Sequence, residues 1–161
     1  MGPIRLNGKL FTRNSVAIRV NGLFRISGVD TIDFSESQPH ETVAPMNENG
    51  PPAGKAPGVY TCTATMGIYL DEALLFEAML LADPTQLMTG LALASKNFTL
   101  GFSASEDMGI RSYRASLNSC NITDRSQSVS ADGSHLVMQY TLKPTYITTN
   151  GYALINLIPS L

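Results

Sequence analysis

His40 and His135 are the chain's two histidines, and Cys62 and Cys120 its two cysteines. A nucleophile activated by histidine must therefore draw on one of the two histidines, and a metal centre on these four side chains and the carboxylates. A histidine acting as general base needs firm support within hydrogen-bond reach of its target. His40 falls in a Pro- and Gly-rich stretch and His135 at the start of a predicted strand, neither a promising position. The cysteines lie far apart without CxxC spacing, which indicates neither a zinc site nor a disulfide framework. Buried free thiols are the default expectation for them, ahead of a disulfide. HExxH, His/Cys clusters and Asp-rich loops are all missing, so no metal ion or other cofactor is expected. Asp30, Asp33 and Glu36 recur every three residues, which on a strand spreads carboxylates over both faces and pairs none for acid–base work. Gly54-Lys55 lacks the spacing of a P-loop. The chain reads as a non-enzyme with no catalytic residues.

Nucleic-acid readout is equally poor on paper. The chain has no tryptophan and a net charge of −2, and its N-terminal bases are spread thinly, so a tight DNA binder is not expected. Asn97-Phe98-Thr99 and Asn121-Ile122-Thr123 fit the glycosylation sequon, but both fall in or beside predicted strands and read as coincidence. The charge order carries more. Arg5, Lys9, Arg13, Arg19 and Arg25 precede every acid, and Asp30, Asp33, Glu36, Glu41 and Glu48 then follow with no base among them. Two readings stay open: a basic partner face meeting the acidic face of another copy, or pairing of neighbouring strands within one subunit.

With 161 residues the expectation is one domain, 1–161. Hydrophobic residues make up 43% and charged residues 15%, against about 25% charged in an average soluble domain. A chain with so little charge to keep its copies apart is a candidate for self-association. The start lacks the apolar stretch of a signal peptide and no run reaches the roughly 18 apolar residues of a membrane span. The expectation is a soluble protein made in the cytosol, with no membrane partner.

Period-two alternation dominates the chain and marks half-buried strands. In 60–70 the even positions are almost all apolar and three odd ones are threonine, which places Cys62 inward. Phe98, Leu100 and Phe102 alternate in the same way, as do Leu136, Met138, Tyr140 and Leu142. Around Tyr113, Ala115 and Leu117 the apolar positions are odd, but at Cys120 and Ile122 they are even. A bulge near Asn118 or Ser119 accounts for the switch. Asn-Gly pairs predict hairpins joining 16–20 to 23–26 and 146–149 to 152–157, and Asp132-Gly133 predicts a further turn. One amphipathic helix is predicted over 71–82, with Asp71 as cap and Leu74, Leu75, Ala78, Met79 and Ala82 on the core side. Residues 87–94 stay undecided between helix and strand. From Pro39 to Pro57 the prolines and glycines predict a long protruding loop with no regular element. Such loops are binding or disordered segments, and Glu41, Val43, Met46 and Glu48 make this one a candidate contact with a partner.

Several features then occur in a fixed order: a hairpin ending in Gly28-Val29-Asp30, Thr31 to Ser37, the Pro/Gly loop, Gly58-Val59-Tyr60-Thr61-Cys62-Thr63-Ala64, the helix opening Asp71-Glu72-Ala73-Leu74, Leu117 to Thr123, and the Asp132-Gly133 turn before Leu136 to Leu142. Over roughly 16–145 this order is similar to the tube proteins of contractile-tailed phages and of type VI secretion. The resemblance implies a mainly β fold with one α-helix, a β-sandwich or barrel-like tail-tube fold. It implies a structural virion subunit, a homohexamer whose rings stack into a tube. The implied partners are other copies, the tail sheath and the baseplate or terminator proteins, with double-stranded DNA sliding through the lumen without specific binding. A hub or tube-capping role on the same fold, or a small β-sandwich binding module, stays open beside it.

Overall fold

The computed structural model describes residues 4–6, 9–11, 16–44, 53–83, 92–105, 112–129 and 135–154. Among them, eleven strands join into one continuous sheet that doubles over at a shared strand, and one helix packs at its side. The first layer runs β2 (Lys9–Phe11), β1 (Ile4–Leu6), β5 (Val29–Ser37), β8 (Thr61–Tyr69) and β11 (Leu136–Lys143). The second runs β9 (Phe98–Ser105), β3 (Val16–Val20) and β4 (Phe24–Ile26), with β12 (Tyr146–Thr149) and β13 (Tyr152–Ala153) on the other flank. The 18-residue strand β10 (Ser112–Val129) serves both layers: 115–118 pair with β12, and 121–129 pair with β11.

The core lies between the layers and follows the alternation of the sequence. Cys62, Ala64, Met66 and Ile68 of β8 are buried, as are Phe98, Leu100 and Phe102 of β9. Phe34 from the first layer stacks on Phe102 from the second with ring centroids 5.5 Å apart. The parity switch on β10 is a bulge where it was predicted. Register with β9 shifts between Leu117 and Cys120, Ser119 adopts φ 51°, and both Leu117 and Cys120 end up fully buried. The strand thereby turns from one layer into the other without lifting its apolar side from the core.

Both predicted Asn-Gly turns are present, and each does more than reverse the chain. Asn21 and Gly22 have φ 50° and 72°, and Asn150 and Gly151 have 51° and 87°, the left-handed pair that a two-residue hairpin needs. The Asn21 side chain accepts from the Thr99 N–H at 2.8 Å while its own N–H donates to the Thr99 carbonyl. Asn150 clamps Arg114 on β10 in the same two-bonded way. Each asparagine thus ties its hairpin to the next strand. The second hairpin's outgoing strand is short, and residues 155–161, like Asn7-Gly8, Asn49-Gly50 and Asp132-Gly133, lie outside the described residues.

Four expectations are corrected. The helix α1 spans Leu70–Leu81, its cap is Tyr69 and not Asp71, and no side chain caps it. Its buried side is Ala73, Phe76 and Leu80, while Leu74 and Leu75 are 59% and 66% exposed. Phe76 decides the rotation: its ring meets Phe98 and Tyr140 edge-on at 5.6 Å each, a better fit than branched leucine offers between two rings. On β11, Leu136 is exposed and Val137 buried, because Val137 covers Gly67, where an added Cβ would lie 3.2 Å from its Cγ1. The stretch 39–57 is not wholly irregular. β6 (His40–Val43) and β7 (Gly54–Pro57) form an antiparallel two-stranded ribbon. Pro57 is tolerated because it sits at the end of a strand that pairs on one side only, where its missing N–H forfeits no ladder bond. Leu93–Ser95 forms a single 3-10 turn, and 84–91 lie outside the described residues.

Candidate assembly surfaces

Among the described residues, the second layer ends in two short edge strands, β4 and β13. An edge strand carries unpaired backbone donors and acceptors, and exposed apolar side chains beside it favour pairing with another chain. Both edges have them. At β4, Leu23 is 80% and Phe24 52% exposed, and a cleft of about 210 Å³ runs from Phe24 and Ile26 to Leu75, Phe76 and Met79 of α1. The exposed Leu74 and Leu75 continue this apolar surface along the helix. At β13, Tyr152 is 80% and Leu154 53% exposed. Composition hinted at exposed apolar area, but no local pattern could locate these edges, because a strand becomes an edge only through its neighbours in the sheet.

The helix is seated beside β4 by polar contacts as well as Phe76. Gly28 leaves room for it: a Cβ there would run into the Glu72 side chain, and Ser27 donates to Glu72 at 3.0 Å. Glu77, overlooked in the sequence, accepts from the buried Tyr140 hydroxyl at 2.8 Å and pairs with both its oxygens to one Arg125 nitrogen. Burial and this carboxylate push the Tyr140 phenol up. The available signal was a single acid inside an otherwise apolar helical run. Burial and Glu36 likewise raise the Tyr60 phenol, whose hydroxyl donates to Glu36 at 2.7 Å and accepts from the Ile147 N–H.

The candidate residues read from sequence fall in different places. Glu41 and Val43 lie exposed on β6, and Met46 and Glu48 lie outside the described residues. The five bases do not share one sheet layer. Arg5 is on β1 and Lys9 on β2 in the first layer, Arg19 on β3 and Arg25 on β4 in the second, and Arg13 lies outside the described residues. Basic β1 does run beside acidic β5, with Arg5 in register with Thr31.

Of the residues able to do chemistry, the cysteines are taken up in packing and the two histidines are exposed. Cys62 and Cys120 are both free and buried, donating to the carbonyls of Pro144 and Leu117. Burial pushes the Cys120 thiol up to about 12 and raises that of Cys62. The His135 ring stands edge-on to Tyr69 at 5.3 Å, and His40 begins β6 opposite Pro57. Among the described residues, no helix is long and apolar enough to cross a membrane.

No protein-family model matches the chain, and neither does any curated protein. Solved structures do match. A chain of the sheath–tube complex of an extracellular contractile injection system, in its extended state, superposes with a TM-score of 0.55 at 14% identity, over 85% of this chain and 88% of that one. A chain of the anti-feeding prophage baseplate gives 0.53 at 10% identity, over 84% and 91%. Hcp1 from Flavobacterium johnsoniae gives 0.50 at 11% identity, over 88% and 98%. The chain has the contractile tail-tube fold, mostly β with a single helix.

Proposed function

We propose that this chain is a structural, non-catalytic subunit that polymerises with copies of itself into the inner tube of a contractile tail, six to a ring. The rings stack into a conduit for DNA within a phage-like particle, bounded by sheath outside and by baseplate and terminator proteins at the ends. The whole chain, 1–161, acts as the subunit. The observation that carries the reading is the pair of edges that end the second layer among the described residues, each flanked by exposed apolar side chains. Pairing β4 of one copy with β13 of the next continues the second layer around a ring, covers Leu23, Phe24, Tyr152 and Leu154, and leaves neither edge of that layer exposed. The fold shared with tube-complex and baseplate chains supports it. The ribbon β6–β7, with Glu41 and Val43 exposed, projects from the layers as the contact to a neighbouring ring.

Negative-stain electron microscopy over a concentration series tests this. The native chain is expected to form six-fold rings or hollow tubes, and Phe24→Asp or Tyr152→Asp to abolish them while circular dichroism stays unchanged. Replacing 44–53 by a two-residue turn is expected to leave rings that no longer stack. Single rings from the native chain would point to a capping or hub role on the same fold. Tubes that persist in both edge variants would refute the reading.

A further inference from the structure

The outward face of the second layer gathers charge of a single sign around one groove. Arg19 on β3 and Arg25 on β4 stand directly opposite each other in the antiparallel register. Both are exposed. Like charges placed in this way destabilise a sheet, so nothing in the stability of the fold calls for the pair. Arg19 is in register with Gly101, Gly101 with Ser116, and Ser116 with Thr148. Arg114 lies two residues along from Ser116, in the row of Ser103 and Ala17. Strand spacing and rise put the α-carbons of Arg19 and Arg114 about 12 Å apart; Arg25, about 5 Å beyond Arg19, lines the neighbouring cleft against α1 together with Glu72.

Between Arg19 and Arg114 lies a groove of about 340 Å³, floored by Ala17, Gly101, Ser103 and Ser116. No carboxylate lines it among the described residues. Gly101 is not held there by backbone conformation or packing: it has no left-handed φ, and an added Cβ would meet only the Arg19 carbonyl, at 4.0 Å. Its effect is to keep the floor low between the two guanidinium groups. The Ser103 hydroxyl on the floor adds a neutral donor, while that of Ser116 donates to Asn118 Oδ1 at 3.2 Å. The aromatic residue beneath it, Phe102, keeps its ring in the core against Phe34, where it cannot stack on a base.

We infer that this arginine groove is a contact surface for the phosphodiester backbone of nucleic acid, sequence-independent and strongly dependent on salt. Fixed arginines on a shallow neutral floor suit a line of phosphates, and the groove has no exposed ring to read bases with. The inference deepens the conduit reading and rests on it only in that this face must stay open in the assembly. It also departs from the negative lining that the tail-tube resemblance would suggest, by placing paired cations where cargo could touch.

Fluorescence anisotropy of a labelled, mixed-sequence duplex against the full chain at several salt concentrations is the test, with electron microscopy of every variant alongside. Each phosphate neutralised contributes about 0.9 to the slope of log affinity against log salt. The double variant Arg19→Gln, Arg114→Gln is expected to lower the slope by about 2. Gly101→Leu fills the groove with all charges kept, and is expected to weaken binding at least several-fold. Three results would overturn the inference: no duplex binding by the native chain, a slope unchanged in the double variant, or unchanged affinity in Gly101→Leu. Displacement of duplex by polyglutamate at equal charge concentration would also overturn it, showing that the face takes acidic polypeptide instead. Loss of ring assembly in the double variant would overturn it too, by assigning the arginines to subunit contacts. Failure of the conduit reading shows separately, as a native chain that binds duplex but never assembles.

Discussion

Phe76 and Leu75 are neighbours on one helix, and truncating each to alanine tests which side of α1 faces the core. Phe76 is 2% exposed, with its ring edge-on to Phe98 and Tyr140 at 5.6 Å each; Leu75 is 66% exposed. Phe76→Ala removes a buried ring and leaves a cavity between two rings that cannot collapse onto a methyl group. Core phenylalanine-to-alanine changes cost about 3–5 kcal/mol, and two lost edge-on pairs favour the upper part of that range. Leu75→Ala in the unassembled chain is expected to cost no more than about 0.5 kcal/mol. Urea unfolding followed by circular dichroism measures both, with the midpoint shifting and the slope unchanged if unfolding stays two-state. In a thermal melt the Phe76 variant should lose roughly 6–20 °C. Equal losses in the two variants, or a Phe76→Ala loss below about 1 kcal/mol, would refute the assigned helix face.

Other consequences follow from single contacts. Asn150→Gly keeps the turn's positive φ but loses the bond to the Arg114 N–H, and should cost about 1 kcal/mol, with Asn150→Ala costing about 1–2 kcal/mol more, by the same unfolding assay. Glu77→Ala leaves the buried Tyr140 hydroxyl without its acceptor and should cost about 1–3 kcal/mol, while Arg125→Ala, at an exposed pair, should cost under about 1 kcal/mol; the reverse order would contradict these roles. The folded chain holds the Cys120 proton up to about pH 12, whereas the unfolded thiol releases it near about pH 8.5. Between those values the folded state binds more protons, so stability is full below about pH 8.5 and declines as pH rises. The Cys62, Tyr60 and Tyr140 shifts act in the same direction. A urea midpoint lower at about pH 10 than at pH 8, and no thiol labelling at pH 8 without denaturant, are the expected results.

What the sequence revealed and what it hid divide along local and non-local lines. Asn21-Gly22 and Asn150-Gly151 could be read because positive φ is a property of the residues themselves. The bulge at Ser119 could be read because apolar parity changes within one strand only when a residue is inserted out of register. The helix could be found but not oriented, since apolar residues surround it on all sides and only the rings of Phe98 and Tyr140, from two distant strands, select Phe76. The parallel pairing of β1 with β5 and the ribbon β6–β7 left no periodic trace, one being a long-range contact and the other only four residues per strand. That Glu41 and Val43 stand on an exposed segment was legible from the prolines and glycines around them, but the edges β4 and β13 and the groove around Gly101 exist only once strand order is set.

Ring closure through β4 of one copy and β13 of the next can be trapped by crosslinking. A chain carrying Leu23→Cys and Tyr152→Cys is treated with a short thiol-specific crosslinker, the native Cys62 and Cys120 being too buried to interfere. The expected result is a ladder of covalent oligomers that ends at the hexamer, and no ladder from either single variant. Monomer alone from the double variant, under conditions where rings are seen by microscopy, would contradict the edge-to-edge assembly.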